Sequence, residues 1–227
     1  MALYVPAFVG ERASLLHLDS ASSTTLLFAR DATGWVSDYA RATVGCETLS
    51  LPGYGGLGVL PDVEGRPVVG MMGADWLTAA PTLLDVDRGQ LVRRPRDLGA
   101  VDGGVTVPYQ LLGGKYLLDV TFDGKPVRVI LDTGAGHTVF VDPTPRPGET
   151  EIVTEDALGN PLVLHQGTIE LAVGGRSKVV TLLRATRFEI LEQISAQLGV
   201  PIDGLIGLSA LRAFYTDHAR GVLTLAM

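Results

Sequence analysis

Val127-Arg128-Val129-Ile130-Leu131 runs directly into Asp132-Thr133-Gly134-Ala135, and Gly136-His137-Thr138-Val139-Phe140 follows. The apolar run reads as a buried strand, and an acid, a hydroxyl and a glycine at its end add little to a core. They do present a carboxylate in a cleft. The same order of residue types recurs as Leu18-Asp19-Ser20-Ala21-Ser22-Ser23-Thr24, so the chain offers a second such carboxylate.

A further pair of segments extends the duplication. Gly70-Met71-Met72-Gly73-Ala74-Asp75-Trp76-Leu77 aligns with Gly204-Leu205-Ile206-Gly207-Leu208-Ser209-Ala210-Leu211. Asp85-Val86-Asp87-Arg88-Gly89-Gln90-Leu91 aligns with Asp217-His218-Ala219-Arg220-Gly221-Val222-Leu223. Each half thus reads as a strand, an Asp-hydroxyl-small turn, a variable middle, Gly-apolar-apolar-Gly, a short helix and a closing hairpin. Two related lobes are the economical explanation, residues 1–97 and 98–227, divided near Arg93-Arg94-Pro95-Arg96-Asp97-Leu98-Gly99. In an acidic chain those arginines read as a solvated linker rather than a nucleic-acid contact.

The 227 residues suffice for one large all-β domain or for two lobes of roughly 100 residues each. Gly (28) and Pro (13) punctuate short runs rich in Val, Leu, Ile and Thr, the pattern of a mostly β protein with many tight turns. Strands are expected at Leu15–Leu18, Val105–Leu112, Lys115–Phe122, Lys125–Leu131, Pro161–His165, Thr168–Val173 and Lys178–Leu183, with Asp123-Gly124 as a hairpin turn. Phe188–Leu198 reads as a helix with Ile190 or Leu191, Ile194 and Leu198 on one face, stopped by Gly199 and Pro201.

Composition excludes several classes of function. With 18 basic against 25 acidic residues, a net charge of −7 and a pI near 5.0, there is no electrostatic case for nucleic acid or an anionic membrane. No apolar run approaches the ~18 residues of a membrane span. A single cysteine, Cys46, rules out an internal disulfide and a multi-thiolate metal site, and His17, His137, His165 and His218 lack metal-ligand spacing. No metal or cofactor is expected. Gly53-Tyr54-Gly55-Gly56-Leu57-Gly58 satisfies a dinucleotide-binding pattern literally, but Pro61 and Gly65-Arg66-Pro67 follow where a helix would have to start. His137 reads as an ordinary strand histidine, and Trp76 and Phe214 as core. The N-terminus lacks a basic segment and its apolar stretch is broken by Pro6, so no signal peptide is visible and the compartment stays open.

Two lobes related by an approximate two-fold axis would bring Asp19 and Asp132 together. Like charges so close resist joint ionisation, so the pair retains one proton below neutrality. One carboxylate then acts as general base on a water while its protonated partner polarises a carbonyl, which hydrolyses an amide without a metal or a nucleophilic side chain. Ser20 and Thr133 can hydrogen-bond across the axis, and the small residues Ala21 and Gly134 let backbone approach closely.

On these residues the chain resembles the pepsin and retropepsin-like aspartic proteases. Val129-Ile130-Leu131-Asp132-Thr133-Gly134-Ala135 is similar to the family's active-site motif, and Asp203-Gly204-Leu205-Ile206-Gly207 to its second signature. Leu211 to Leu223 is similar to bacterial members. The resemblance covers residues 104–227 directly and residues 1–92 through the repeat. It implies two mostly β, barrel-like lobes with short helices, a cleft between them, a polypeptide substrate held extended, and aspartic endopeptidase activity from Asp19 and Asp132. Where the family has glycine, this chain has Ala21, whose Cβ faces the region of the substrate backbone; Ser20 in place of threonine keeps its hydroxyl. The family's flap is expected at Leu158, Gly159 and Asn160 in the second lobe; in the first it falls at Tyr54, at Trp35–Tyr39, or has been lost. A monomer is expected. Two alternatives stay open: a peptide-binding or inhibitory module without turnover, and a homodimer whose active site joins the C-terminal lobes of two chains.

Overall fold

The computed structural model describes residues 2–28, 39–54, 60–94, 101–155 and 161–227. The flap candidates Leu158, Gly159 and Asn160, residues 35–38 of the alternative flap, and the stretch 95–99 of the expected linker lie outside these residues. The fold is mostly β.

The first half forms β1 (Tyr4–Val9), β2 (Arg12–Leu18), β3 (Leu26–Phe28), β4 (Tyr39–Val44), β5 (Glu47–Tyr54) and β6 (Val68–Met72). These close into a barrel in the order β1-β2-β6-β3-β5-β4. Leu16, Leu18, Leu27, Val69 and Met72 are buried in it. A short helix, α1 (Ala74–Thr78), and the hairpin β7 (Thr82–Asp85) and β8 (Gln90–Arg93) follow.

The second half begins with β9 (Val105–Val107), β10 (Gln110–Leu112), β11 (Lys115–Phe122), β12 (Lys125–Leu131) and β13 (Thr138–Val141). It continues with β14 (Thr150–Glu155), β15 (Pro161–Val173), β16 (Arg176–Ala185), α2 (Glu189–Leu198), β17 (Gly204–Ile206), β18 (Ala213–Asp217) and β19 (Val222–Ala226). Eight of these strands form one sheet, β10-β11-β12-β17-β13-β16-β15-β14, in which β11 also pairs with β15. Leaving aside the outer strands β10 and β14, the pairings of the first barrel recur in the same order. A hairpin (β1–β2, β11–β12) is followed by a parallel pair (β2–β6, β12–β17), an antiparallel pair (β6–β3, β17–β13), a second parallel pair (β3–β5, β13–β16) and an antiparallel pair (β5–β4, β16–β15). Pairing of β1 with β4, and of β11 with β15, completes each circuit.

The repeated Gly-apolar-apolar-Gly now has a steric cause. A methyl on Gly70 would be driven into the Leu26 carbonyl oxygen, and one on Gly204 into that of Val139; one on Gly73 would meet the backbone of Thr24 at 2.6 Å and one on Gly207 would be driven into that of His137. Met72, Leu205 and Ile206 of the apolar pairs are buried, while the bracketing glycines let a neighbouring strand or loop cross at backbone distance.

The two closing hairpins do not cap separate halves. β7 pairs antiparallel with β18, from Thr82↔Thr216 to Asp85↔Ala213, and β9 joins the outside of β19. The result is a five-stranded sheet, β8-β7-β18-β19-β9, shared by both halves. Edge pairing satisfies backbone groups that each hairpin would otherwise expose. A single apolar cluster passes from Leu16 and Met72 through Leu84, Phe214 and Leu225 to Val129 and Ile206. Trp76 and Phe214 are buried, as expected.

Several element boundaries differ from expectation. Val105–Leu112 is two strands, because Pro108 cannot donate to a ladder and the chain changes sheet there. Pro161–His165 and Thr168–Val173 are one strand, since Gln166 and Gly167 stay paired with Leu183 and Leu182. His137 sits in an exposed bend just before β13 rather than in a strand. The Asp123-Gly124 turn is as expected, with φ of 48° and 77°. In α2 the buried face is Leu191, flanked by Ile194 and Leu198, and Gly199 ends the helix at φ 68°. Among the described residues no helix is long and apolar enough to cross a membrane.

Gly70→Ala and Gly204→Ala are each expected to destabilise the protein by about 1–3 kcal/mol through overpacking, read as a lower urea midpoint at unchanged slope. Equal losses at the two positions are the outcome that matches their equivalent surroundings.

Candidate active site

Asp19 follows β2 and Asp132 follows β12, the strands that lie parallel to β6 and β17. The Asp19 amide donates to the Met72 carbonyl and the Asp132 amide to the Ile206 carbonyl, both at 3.0 Å. Each strand end is therefore fixed by the strand beside it. Each carboxylate then folds back on its own loop. Asp19 Oδ1 accepts from the amides of Ala21 (2.9 Å) and Ser22 (3.0 Å), and Asp132 Oδ1 accepts from those of Gly134 (2.8 Å) and Ala135 (3.2 Å). Turns of this kind suit Asp, whose short side chain reaches amides two and three residues on.

The loops are tied to each other by reciprocal bonds. The Ser20 amide donates to Thr133 Oγ1 and the Thr133 amide to Ser20 Oγ, both at 2.9 Å. Ser20 Oγ donates to the Leu131 carbonyl at 2.7 Å, and Thr133 Oγ1 to the Leu18 carbonyl at 3.1 Å. Both hydroxyl residues are fully buried, so each hydroxyl has its donor and an acceptor position satisfied by the opposite loop. Leaving one such group unpaired costs about 1–3 kcal/mol.

This tie brings the two carboxyls together. A methyl added to Gly134 would lie 2.8 Å from Asp19 Cγ, 3.0 Å from Asp19 Oδ1 and 3.1 Å from Asp132 Oδ1. Glycine at 134 is thus required by the space that Asp19 occupies. The matching place on the other loop holds Ala21, packed against the apolar cluster of Leu117, Ile130, Val139 and Leu205.

Surroundings make the pair hold a proton. Asp132 keeps some surface towards solvent, but dense packing around its carboxyl desolvates it, and this first, then the negative charge of Asp19, pushes it up to about 7 against the pull of the Gly134 and Ala135 amides. Because the two groups are coupled, the retained proton belongs to the pair.

Two residues not singled out by sequence reasoning act on these carboxyls. His17, two residues before Asp19 on β2, stacks on Tyr4 with ring centroids 5.4 Å apart and has a buried Nε2 without a partner. Burial holds its pKa down against the opposing pull of Asp19. The half-buried Lys115 opens β11, and its Nζ donates to the Ala21 carbonyl at 2.6 Å and to Ser23 Oγ at 3.1 Å. A lysine at the start of a strand carries no spacing signal, so its neighbour across 94 residues is not readable from the chain.

Tyr54 ends β5, paired with Phe28, and is 54 % exposed. Among the described residues no group of three or more His, Cys, Asp or Glu is arranged to hold a metal ion.

Asp132 lies above its ordinary value in the fold, so its contribution to stability is fully present below the ordinary carboxylate range and is lost as pH rises through about 7. Thermal melts should accordingly show wild type losing stability between pH 4 and pH 8. Asp132→Asn, which cannot ionise, is expected to lose most of that slope and to melt at least ~2–4 °C above wild type at pH 8.

No protein-family model matches the chain, and no curated protein matches it.

Proposed function

We propose that the protein is an aspartic endopeptidase in which Asp19 and Asp132 activate a water between them, on two retropepsin-like lobes, residues 1–97 and 98–227. The observation that carries this reading is the closely set carboxyl pair, whose Asp19 Oδ1 and Asp132 Oδ1 lie 3.0 and 3.1 Å from the one point where a Gly134 methyl would fall, held by reciprocal Ser20 and Thr133 bonds. A coupled acid pair retaining one proton supplies a base and an acid at the same point. The ionised carboxylate takes a proton from water as the water oxygen bonds to the peptide carbonyl carbon. The protonated carboxyl gives its proton to the carbonyl oxygen. Collapse of the tetrahedral species returns that hydroxyl proton to the pair, while the proton taken from water passes to the amide nitrogen, and the C–N bond breaks. Products leave as a carboxylic acid and an amine, with the pair again holding one proton.

An extended polypeptide is the substrate that this chemistry and the resemblance both favour. Pairing within one chain is supported by the same tie, since Thr133 would have to release Ser20 and Leu18 before meeting a second Thr133. Ala21 favours a second reading, peptide binding without turnover, because it puts a methyl where Gly134 has none.

The test is cleavage of a denatured protein from pH 3 to pH 8, with and without a statine-type mimic of the tetrahedral species. Wild type is expected to cleave on the acid side, to lose activity as pH rises through about 7 when the pair gives up its proton, and to be inhibited by the mimic. Asp19→Asn and Asp132→Asn should each reduce cleavage to background while remaining folded. Full activity in purified Asp19→Asn protein would overturn the proposal; binding of the mimic without cleavage of any substrate would establish the second reading.

A further inference from the structure

We propose that Lys115 is a positioning residue of the carboxyl pair, acting on Asp19 through one peptide group and setting the pH range in which the pair holds a single proton. The inference rests on the aspartic-pair reading above. Its geometry is a relay. Lys115 Nζ donates to the Ala21 carbonyl at 2.6 Å, and the other end of that peptide unit, the Ser22 amide, donates to Asp19 Oδ1 at 3.0 Å. A cation on the carbonyl polarises the peptide and strengthens the bond that its N–H makes to the carboxylate.

The lysine is itself held in place. Gly113 and Gly114 turn the chain from β10 into β11 at φ of 56° and 77°. That brings the turn against Ser23, whose Oγ donates to the Gly113 carbonyl and accepts from Lys115 at 3.1 Å. A methyl on Gly114 would lie 2.8 Å from Ser23 Cβ. This turn and its lysine therefore grip the loop after Asp19 at the Ala21 carbonyl and at Ser23.

Nothing matches this on the other carboxyl. Tyr4 pairs with His17, two residues before Asp19, and Leu117 pairs with Ile130, two before Asp132. By this register the counterpart of Lys115 in the first half is Ala2. The counterpart relay, through the Ala135 amide, is longer at 3.2 Å, and no described cation reaches its Gly134 carbonyl. Another titratable group coupled to Asp19 is His17. Burial lowers both His17 and Lys115; Asp19 alone opposes it at His17, whereas both Asp19 and Asp132 oppose it at Lys115.

The experiment compares wild type with Lys115→Gln, Lys115→Met and Lys115→Arg, using 13C NMR of the aspartate carboxyls from pH 3 to pH 9 alongside pH profiles of kcat/KM. Glutamine keeps a donor for the Ala21 carbonyl and removes only the charge, so it decides the question if the methionine variant fails to fold. In Lys115→Gln both titration steps of the pair are expected to rise by about one pH unit, the size of effect of losing a nearby opposite charge, and both limbs of the kcat/KM profile should move with them. Lys115→Arg should titrate as wild type does. Unmoved titration steps in the glutamine variant would overturn the proposal, even if kcat fell. Because the carboxyl spectra need no turnover, a shifted titration in a protein that cleaves nothing would sink the peptidase reading and leave Lys115 in its role. An active enzyme with unmoved steps would do the reverse.

Discussion

Reciprocal hydrogen bonding between residues 18–20 and 131–133 is the constraint on which the rest of the structure turns. Each buried hydroxyl is donor and acceptor at once, so the two loops cannot slip past each other without orphaning several polar groups together. Such cooperativity is what allows two carboxyls to be pressed against one another beside the buried Ser20 and Thr133. Neither loop could hold its acid there alone: the Asp turns fix each carboxylate relative to its own chain, and the cross-ties fix the two chains relative to each other.

Duplication would by itself produce two equivalent acids, and a symmetric pair has no reason to assign its proton. Substitutions at equivalent positions break that equivalence. The first loop carries Ala21 where the second has Gly134, its strand has His17 where β12 has Ile130, and β1 is preceded by Ala2 where β11 opens with Lys115. Backbone geometry is shared between the halves, and charge and packing are not. Pairs of titratable groups whose environments push them apart are the arrangement expected of an acid and a base working at one point.

What could be read from the sequence was whatever the backbone dictates residue by residue. Asp and Gly at a strand end, glycines where strands cross at backbone distance, and Asp123-Gly124 in a left-handed turn each have few chemical substitutes, so they leave a trace in a single chain. The placing of Asp19 opposite Asp132 followed from the repeat. Features that depend on pairing over long separations left none. Gln166-Gly167 resembles a break but stays in register with β16, the Pro108 change of sheet has no local mark beyond the proline, and the β7–β18 pairing joins segments that both look complete as hairpins. Lys115 belongs with these, because its role exists only once the turn at Gly113-Gly114 has met Ser23.

That β7–β18 pairing also bears on how the site is tolerated. Desolvating an acid beside a second acid costs free energy in a protein whose whole stability is of the order of 5–15 kcal/mol, and separating the two halves would relieve it. Two independent cores joined only at the loops would give way at that point. Instead the shared sheet makes one apolar cluster of both halves, with Leu84 and Phe214 cross-strand neighbours at the junction. Pulling the carboxyls apart then requires opening this core as well, so repulsion at the dyad is opposed by apolar burial some distance from it. The cross-ties set where the acids meet, and the shared sheet is why the meeting survives their charge.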